Sequence, residues 1–401
     1  MSRSSSTKEI LDAIQKVVGP AKVDNPIFLH EPEFKDTAAW EYVKECIDSG
    51  WVSTAGKYVN QFEEELCKYT GADYAIAVTN GTVALRLALS IINVKPDEEV
   101  IIPPLTFVAT ANAVCHLNAI PHFVDIESNT FGLCPEALQG RLEKLAYKEN
   151  GQVFNRDTGR RIAAILPVHL FGNPSKIIEL KRIAFEWELP LVEDAAEALG
   201  SWSKESNKYI HCGLFGAVGI LSFNGNKIIT TGGGGALITN DKNLALKARH
   251  ISTTAKIPHP WMYQHDQIGW NDRMPNINAA LGVSQMQDFA RRLERKNHLA
   301  DSYYNQFSIL KGIELLRARD DCISNKWLMT ARFTANNQDH AKSQCLDLVQ
   351  ESNAIGIRLR PAWKLLTKLP MFLDNPKGPL PNAESEFSRL VNLPSSPQIC
   401  K

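Results

Sequence analysis

The sequence predicts an α/β protein: a large domain built on a mostly parallel central sheet with helices on both faces, then a smaller α/β C-terminal domain. Three observations predict it. Between residues 74 and 239, short and mostly apolar strand patterns alternate with helical ones, as in a parallel sheet buried on both sides. From about residue 276 the pattern changes to a long helical stretch followed by mixed helix and strand signals. The 401 residues suffice for one large domain and a smaller one.

Residues 1–8 are polar. Apolar positions at helical spacing predict helices over 9–18, 36–49 and 56–69. Asp36 is the expected N-cap of the second, which ends near Gly50, and Phe62, Leu66 and Tyr69 share one face of the third. Strands are expected at 74–79, 99–102, 121–125, 161–167, 190–194, 217–223 and 235–239, with helices at 81–92, 109–117 and 175–187. Residues 144–160 are polar and read as a surface insertion, and 278–307 as one long helix. The division that follows is an N-terminal arm (1–35), expected to join the small domain, a large domain (36–275) and a small one (276–401).

Lysine plus arginine equals aspartate plus glutamate, 44 each, so no basic excess points to nucleic acid or an anionic membrane. The eight cysteines are scattered with no Cys-x-x-Cys pair, which argues against a metal site and for reduced thiols in a cytoplasmic protein. The N-terminus lacks the apolar core of a signal peptide, and no stretch of about 18 apolar residues exists to span a membrane.

The chemistry is carried by Lys227, which follows a strand and precedes the glycines Gly232 to Gly235, and by Asp194, which ends an apolar strand in Val-Glu-Asp-Ala-Ala-Glu. A lysine amine can form a Schiff base with the aldehyde of pyridoxal phosphate. An acid can pair with the pyridinium nitrogen and keep the ring an electron sink. Asn80-Gly81-Thr82 opens the helix after the first strand, where free N–H groups and a positive dipole end suit a phosphate. An ordinary capped strand-to-helix turn is the alternative there. Phe107 can stack on a flat ring or be a core residue. Glu197 can reach the ring hydroxyl, or Asp194 and Glu197 can form a helix capping box. Ser222 can donate to the phosphate, and His169, at another strand end, can line the pocket or be structural.

Taken together these motifs resemble the DegT/DnrJ-type sugar aminotransferases, pyridoxal-phosphate enzymes of fold type I. The resemblance runs from about residue 27 to 397. It rests on Gly50-Trp51-Val52-Ser53, Asn80-Gly81-Thr82-Val83-Ala84-Leu85, Pro104-Leu105-Thr106-Phe107-Val108-Ala109-Thr110, Val192-Glu193-Asp194-Ala195-Ala196-Glu197, Ser222-Phe223-Asn224-Gly225-Asn226-Lys227 and Gly269-Trp270-Asn271-Asp272-Arg273-Met274-Pro275-Asn276. It implies Lys227 as the cofactor-bound lysine and proton shuttle, and Asp194 as partner of the ring nitrogen. It also implies Phe107 against the ring, and Gly81, Thr82 and Ser222 around the phosphate. Asn271 would reach the phosphate of a second subunit, so the active site would be complete only in a homodimer.

Many members read Gly-Glu-Gly-Gly after the lysine, where this chain has four glycines. With the segment Thr254 to Trp261, that is similar to a branch of legionaminic acid and bacillosamine biosynthesis. That branch aminates C4 of a UDP-linked 2-acetamido-2,6-dideoxy-4-keto-hexose. The expected activity is therefore ping-pong transfer from L-glutamate to a nucleotide-linked keto-sugar in glycan biosynthesis, with pyridoxamine phosphate as the intermediate cofactor form. Arg273, Lys256, Arg358 and Arg360 are the candidate cations for the diphosphate, each with a surface ion pair as the alternative. The competing functions are a pyridoxal-phosphate enzyme on a 3-keto, GDP- or dTDP-linked sugar, and a non-catalytic regulator on the same fold. A nicotinamide oxidoreductase is disfavoured, since no Gly-x-Gly-x-x-Gly follows the first strand.

Overall fold

Residues 74–239 fold as the alternation of apolar strands and helices requires, around one continuous sheet in the computed structural model, which describes residues 4–399. Its strands are β1 (Tyr74–Val78), β2 (Glu99–Ile102), β3 (Ile120–Phe123), β4 (Arg161–Ile165), β5 (Val192–Asp194), β6 (Val218–Ser222) and β7 (Gly235–Thr239). The order across the sheet is β1-β7-β6-β5-β4-β2-β3. The β4–β5 junction is made by parallel bridges at Ile165–Leu191 and Val168–Asp194. Of these seven strands only β7 runs against the others, pairing antiparallel with β1 and β6. The other junctions are parallel. The C-terminal ends of β1, β2, β4, β5 and β6 therefore share one edge, where ligands collect in open α/β sheets.

Both faces are covered. In β1, Ala75 and Ala77 face a core with Phe62, Leu66 and Val283, while Ile76 and Val78 face a second core with Leu85, Leu89 and Ala248. Side chains alternate across a strand, so a five-residue apolar run feeds both cores. The helices Lys57–Thr70 and Asn276–Gln287 lie on the first face, and Gly81–Ile91 and Lys242–Ser252 on the second.

The C-terminal part carries an antiparallel sheet of Ile313–Leu315, Met329–Phe333, Leu390–Leu393 and Arg360–Pro361. The N-terminal helix Thr7–Val18, opened by a Ser6–Glu9 capping box, packs its Ile10, Leu11 and Ile14 against the helices Phe289–Phe307 and Gln338–Ala354. No helix among the described residues is long and apolar enough to cross a membrane.

Three expectations change. The long helix is two, Asn276–Gln287 and Phe289–Phe307, broken at Asp288. The first packs on the helices Ala39–Ser49 and Lys57–Thr70, the second on the N-terminal helix, so the chain turns where it passes between cores. Residues 144–160 include a hairpin, Ala146–Glu149 with Gln152–Asn155, that pairs with β4. Its Asn155 and Thr158 donate to the buried Glu99 carboxylate (2.9 and 2.6 Å), so this polar segment is anchored to the sheet. Asp36 lies in a turn with φ of 59°, and the helix starts at Ala39, with Ala38 at the N-cap position and no side-chain cap bond.

Glu63 ties the helix Lys57–Thr70 to the sheet. Its carboxylate accepts from Ala77 N–H (2.8 Å) and pairs with Arg273 (2.8 Å) and Arg249 (2.7 Å). The Arg273 side chain is only 7% exposed. Removing one member of a buried pair leaves the other charge uncompensated. Glu63→Gln should cost about 3 kcal/mol in urea unfolding; a loss under about 1 kcal/mol would show that the pair adds little.

Candidate active site

Three strand ends and the first helix of the sheet meet at a cavity of about 590 Å³ between the sheet edge and the C-terminal part. Gly81, Thr82, Phe107, Asp194, Glu197, Ser222, Lys227, Arg358 and Arg360 all line it. Residues separated by up to 279 positions in the sequence are thus brought to one volume, large enough for a substrate and cofactor together.

Lys227 lies in a tight turn after β6, its own N–H bonded to the Asn224 carbonyl (3.0 Å). Its Nζ sits 3.2 Å from Glu197 Oε1 and 4.0 Å from the centre of the Trp327 ring. Trp327 is held by its indole N–H, which donates to the Asn226 carbonyl (2.7 Å). The side chain of Lys227 is 12% exposed, so the amine is confined rather than waving in solvent.

Asp194 ends β5 as expected, and no helix follows it, which removes the capping-box alternative. Its Oδ2 accepts from the Thr110 hydroxyl (2.8 Å) and Oδ1 from Ala196 N–H (3.2 Å). Thr110 is in turn bonded to Thr106 (3.0 Å). Burial pushes the Asp194 carboxyl up, and the Thr110 hydroxyl, the Ala196 N–H and Lys227 pull against that. Burial likewise raises Glu197, opposed chiefly by Lys227 and by the Phe171 N–H that it accepts (2.8 Å).

At the anion end, Asn80 caps the helix Gly81–Ile91 by accepting from Val83 N–H (2.9 Å). The first-turn N–H groups of such a helix have no intrahelical acceptor. A Cβ on Gly81 would lie 2.9 Å from Ser222 Cβ, and one on Gly235 2.5 Å from the Asn80 carbonyl carbon. Both glycines are therefore needed for β6, β7 and the helix to converge on this cradle. Phe107 is 51% exposed at the cavity, a ring face free of the core, with Trp363 6.1 Å away and stacked in turn on Phe171 (5.4 Å, 18°).

Two expected contacts are corrected. His169 is fully buried and does not line the cavity. Its Nδ1 accepts from Ser175 N–H (3.2 Å) and its Nε2 bonds Glu193 (2.9 Å), whose carboxylate also accepts from the N–H groups of Gly213, Phe215 and Gly216. It is a positioning residue behind β5. Arg273 is consumed by Glu63, so it is not a free cation for a substrate. Lys256 lies on a surface hairpin, Lys256–Ile257 with Gln264–His265, its Nζ 3.8 Å from the centre of the Tyr263 ring. Asn271 bridges Thr253 at the base of that hairpin, and neither lines the cavity of its own chain. Arg358 and Arg360 do, and among the described residues neither pairs with a carboxylate.

Sequence reasoning missed Thr110, Trp327 and His30, which also line the cavity. Thr110 ends the stretch from Pro104 that carries the resemblance, though no role is read for it there; Trp327 and His30 come from distant segments without a motif. A confined amine, a buried carboxylate at a parallel strand end and a helix N-terminus opened by Gly81 form a donor set that fits pyridoxal phosphate, and this site on this fold defines a fold type I pyridoxal-phosphate enzyme.

The chain belongs to the DegT/DnrJ/EryC1/StrS aminotransferase family, which it matches over residues 34–401. It is 37% identical over 331 residues to the putative pyridoxal phosphate-dependent aminotransferase EpsN of Bacillus subtilis (strain 168), covering 82% of this chain and 80% of that protein. It is 33% identical over 361 residues to GDP-perosamine synthase of Escherichia coli O157:H7, covering 90% of each. Among solved structures it resembles Helicobacter pylori PseC, an aminotransferase involved in the biosynthesis of pseudoaminic acid. That match has a TM-score of 0.79 at 26% identity and covers 92% of this chain and 94% of that one. The protein is a pyridoxal-phosphate-dependent sugar aminotransferase.

Gly81→Ala should raise the dissociation constant for pyridoxal phosphate about tenfold or more in equilibrium dialysis, because the added methyl meets Ser222 in the anion cradle. An unchanged constant would place the phosphate elsewhere.

Proposed function

We propose that the protein moves the amino group of L-glutamate to the C4 keto group of a nucleotide-linked 6-deoxy-keto-sugar. The observation that carries this reading is the Lys227 amine, confined against Glu197 within the same cavity as Asp194 and as Arg358 and Arg360, which have no carboxylate partner among the described residues. Pyridoxal phosphate supplies, when bound, an aldehyde for amines and a ring that accepts an electron pair. Gly81, Thr82 and Ser222 would hold its phosphate, Phe107 its ring face, and Asp194 the proton on its ring nitrogen. Glu197 fixes the Lys227 amine in place. Lys227, when released and neutral, would take the Cα proton of glutamate, and in the second half-reaction run the same transfer in reverse at the sugar C4. Arg358 and Arg360 would hold the sugar-nucleotide diphosphate.

Asn271 and Lys256 would act in a homodimer, where Asn271 completes the phosphate cradle of a second copy. The exposed Trp261 and Tyr263 on the same hairpin, and Ile268 just beyond it, support such a contact face.

The acceptor is a UDP-linked 2-acetamido-2,6-dideoxy-4-keto-hexose, supported by the segment 254–261 and the four-glycine run, in a route of the legionaminic acid or bacillosamine kind. A GDP-linked acceptor is the second reading, favoured by the 33% identity to a GDP-perosamine synthase.

Mixing the protein with L-glutamate, then with each 4-keto sugar nucleotide, should bleach and restore the visible cofactor absorbance. 2-Oxoglutarate should appear in the first step and an amino sugar in the second. Restoration by the GDP-linked sugar alone would select the second reading, and no 2-oxoglutarate would overturn both. Lys227→Ala should lower turnover by at least about 100-fold; unchanged turnover would remove the lysine from the chemistry.

A further inference from the structure

His30 lies in the segment Phe28-Leu29-His30, which lines the active-site cavity from the N-terminal arm. The segment is held at both ends. Ile27 pairs with the chain at Gly356 and Arg358 through two main-chain bonds (2.9 Å each). The Leu29 carbonyl accepts from Ser395 N–H (2.7 Å), and Glu31 N–H donates to the Ser396 hydroxyl (2.9 Å). These four bonds leave the backbone on either side of His30 no freedom to swing the ring away.

The ring is 8% exposed, yet both Nδ1 and Nε2 are buried without a hydrogen-bond partner. Buried polar side chains nearly always find a partner, and leaving one unsatisfied costs stability. Other buried polar side chains of the pocket are engaged in the way His30 is not: Asp194 by Thr110, Glu197 by Lys227 and Phe171, Trp327 by Asn226.

Three basic side chains act on the ring. Lys296 is buried behind it, donating to the Trp327 and Ser395 carbonyls (3.2 and 2.6 Å), with Arg292 nearby and Lys227 on the cavity side. Burial first, then Lys296, Arg292 and Lys227, hold the imidazole well below its usual basicity. The ring therefore stays neutral, with one donor and one acceptor nitrogen. That pairing suits a hydroxyl or an amide, which can also give and take a hydrogen bond. Arg358 and Arg360 would serve the anionic part of the ligand.

We infer that His30 is a specificity-determining contact for the acceptor: its two ring nitrogens are held in reserve for an uncharged hydroxyl or amide group of the sugar bound beside Lys227. The inference rests on the amino transfer to a keto-sugar proposed above.

The test uses His30→Phe, which removes both nitrogens at similar volume, and His30→Gln, which keeps a donor and an acceptor. Three quantities are measured on the holoenzyme: the single-turnover rate with glutamate, kcat/KM for whichever UDP- or GDP-linked 4-keto sugar the wild type aminates, and the thermal midpoint. His30→Phe should keep the glutamate rate within about threefold, lower acceptor kcat/KM about ten- to hundredfold, and leave the midpoint unchanged or higher. His30→Gln should recover most of the acceptor kcat/KM. Acceptor kcat/KM within about threefold of wild type in His30→Phe would overturn the inference while leaving the proposed function standing. An equal loss in both half-reactions, a lowered midpoint or failure to fold would make His30 a structural residue and overturn it as well. Wild-type protein that takes nitrogen from glutamate but aminates no keto-sugar would overturn the proposed function and this inference together.

Discussion

Asp194 and Glu197 are both almost wholly buried at the C-terminal edge of the sheet, and the Lys227 amine lies 3.2 Å from Glu197. Burying a carboxylate in a low-dielectric site costs several kcal/mol unless a charge or hydrogen bonds compensate it. Each carboxylate is accordingly held from two sides: Asp194 by Thr110 and Ala196 N–H, Glu197 by Phe171 N–H and the lysine itself. Both still lie above the usual carboxylate range, so the site keeps an unrelieved electrostatic cost. A cationic ring bound against Asp194 would relieve it, which couples cofactor binding to stability.

The supporting layer behind this cluster is as specific as the cluster. Glu193 points away from the cavity and gathers three backbone N–H groups and His169, fixing the start of β6 relative to β5. Neighbouring residues on one strand thus divide the work, Asp194 facing the chemistry and Glu193 the scaffold, because strand side chains alternate between faces. Glu63 does the same for β1 through Ala77 and two arginines. The strand ends that carry the site are set by these buried ion pairs as well as by apolar packing.

The fold class and the cofactor end of the site were legible because each rests on local pattern. Apolar strands buried on both faces announce a parallel sheet, and Asp194, Lys227 and Gly81 each sit at a strand end or helix start. The break at Asp288 was not legible, since it depends on which core each half of the helix meets, and helical periodicity runs through it. His169 and Arg273 were misplaced because a strand-end position does not reveal whether a neighbour such as Glu193 or Glu63 has claimed the side chain. His30 had no motif at all; its place follows from long-range pairing of residues 27–31 with 356–358 and 395–396.

Reduction of the holoenzyme with borohydride, which fixes a lysine-bound pyridoxal group covalently, followed by peptide mapping, tests the Lys227 assignment most directly. A single pyridoxyl label on Lys227 is the expected result, because its Nζ lies in the cavity beside Glu197 and Asp194. A label on Lys256, on Lys296 or on no lysine would contradict it.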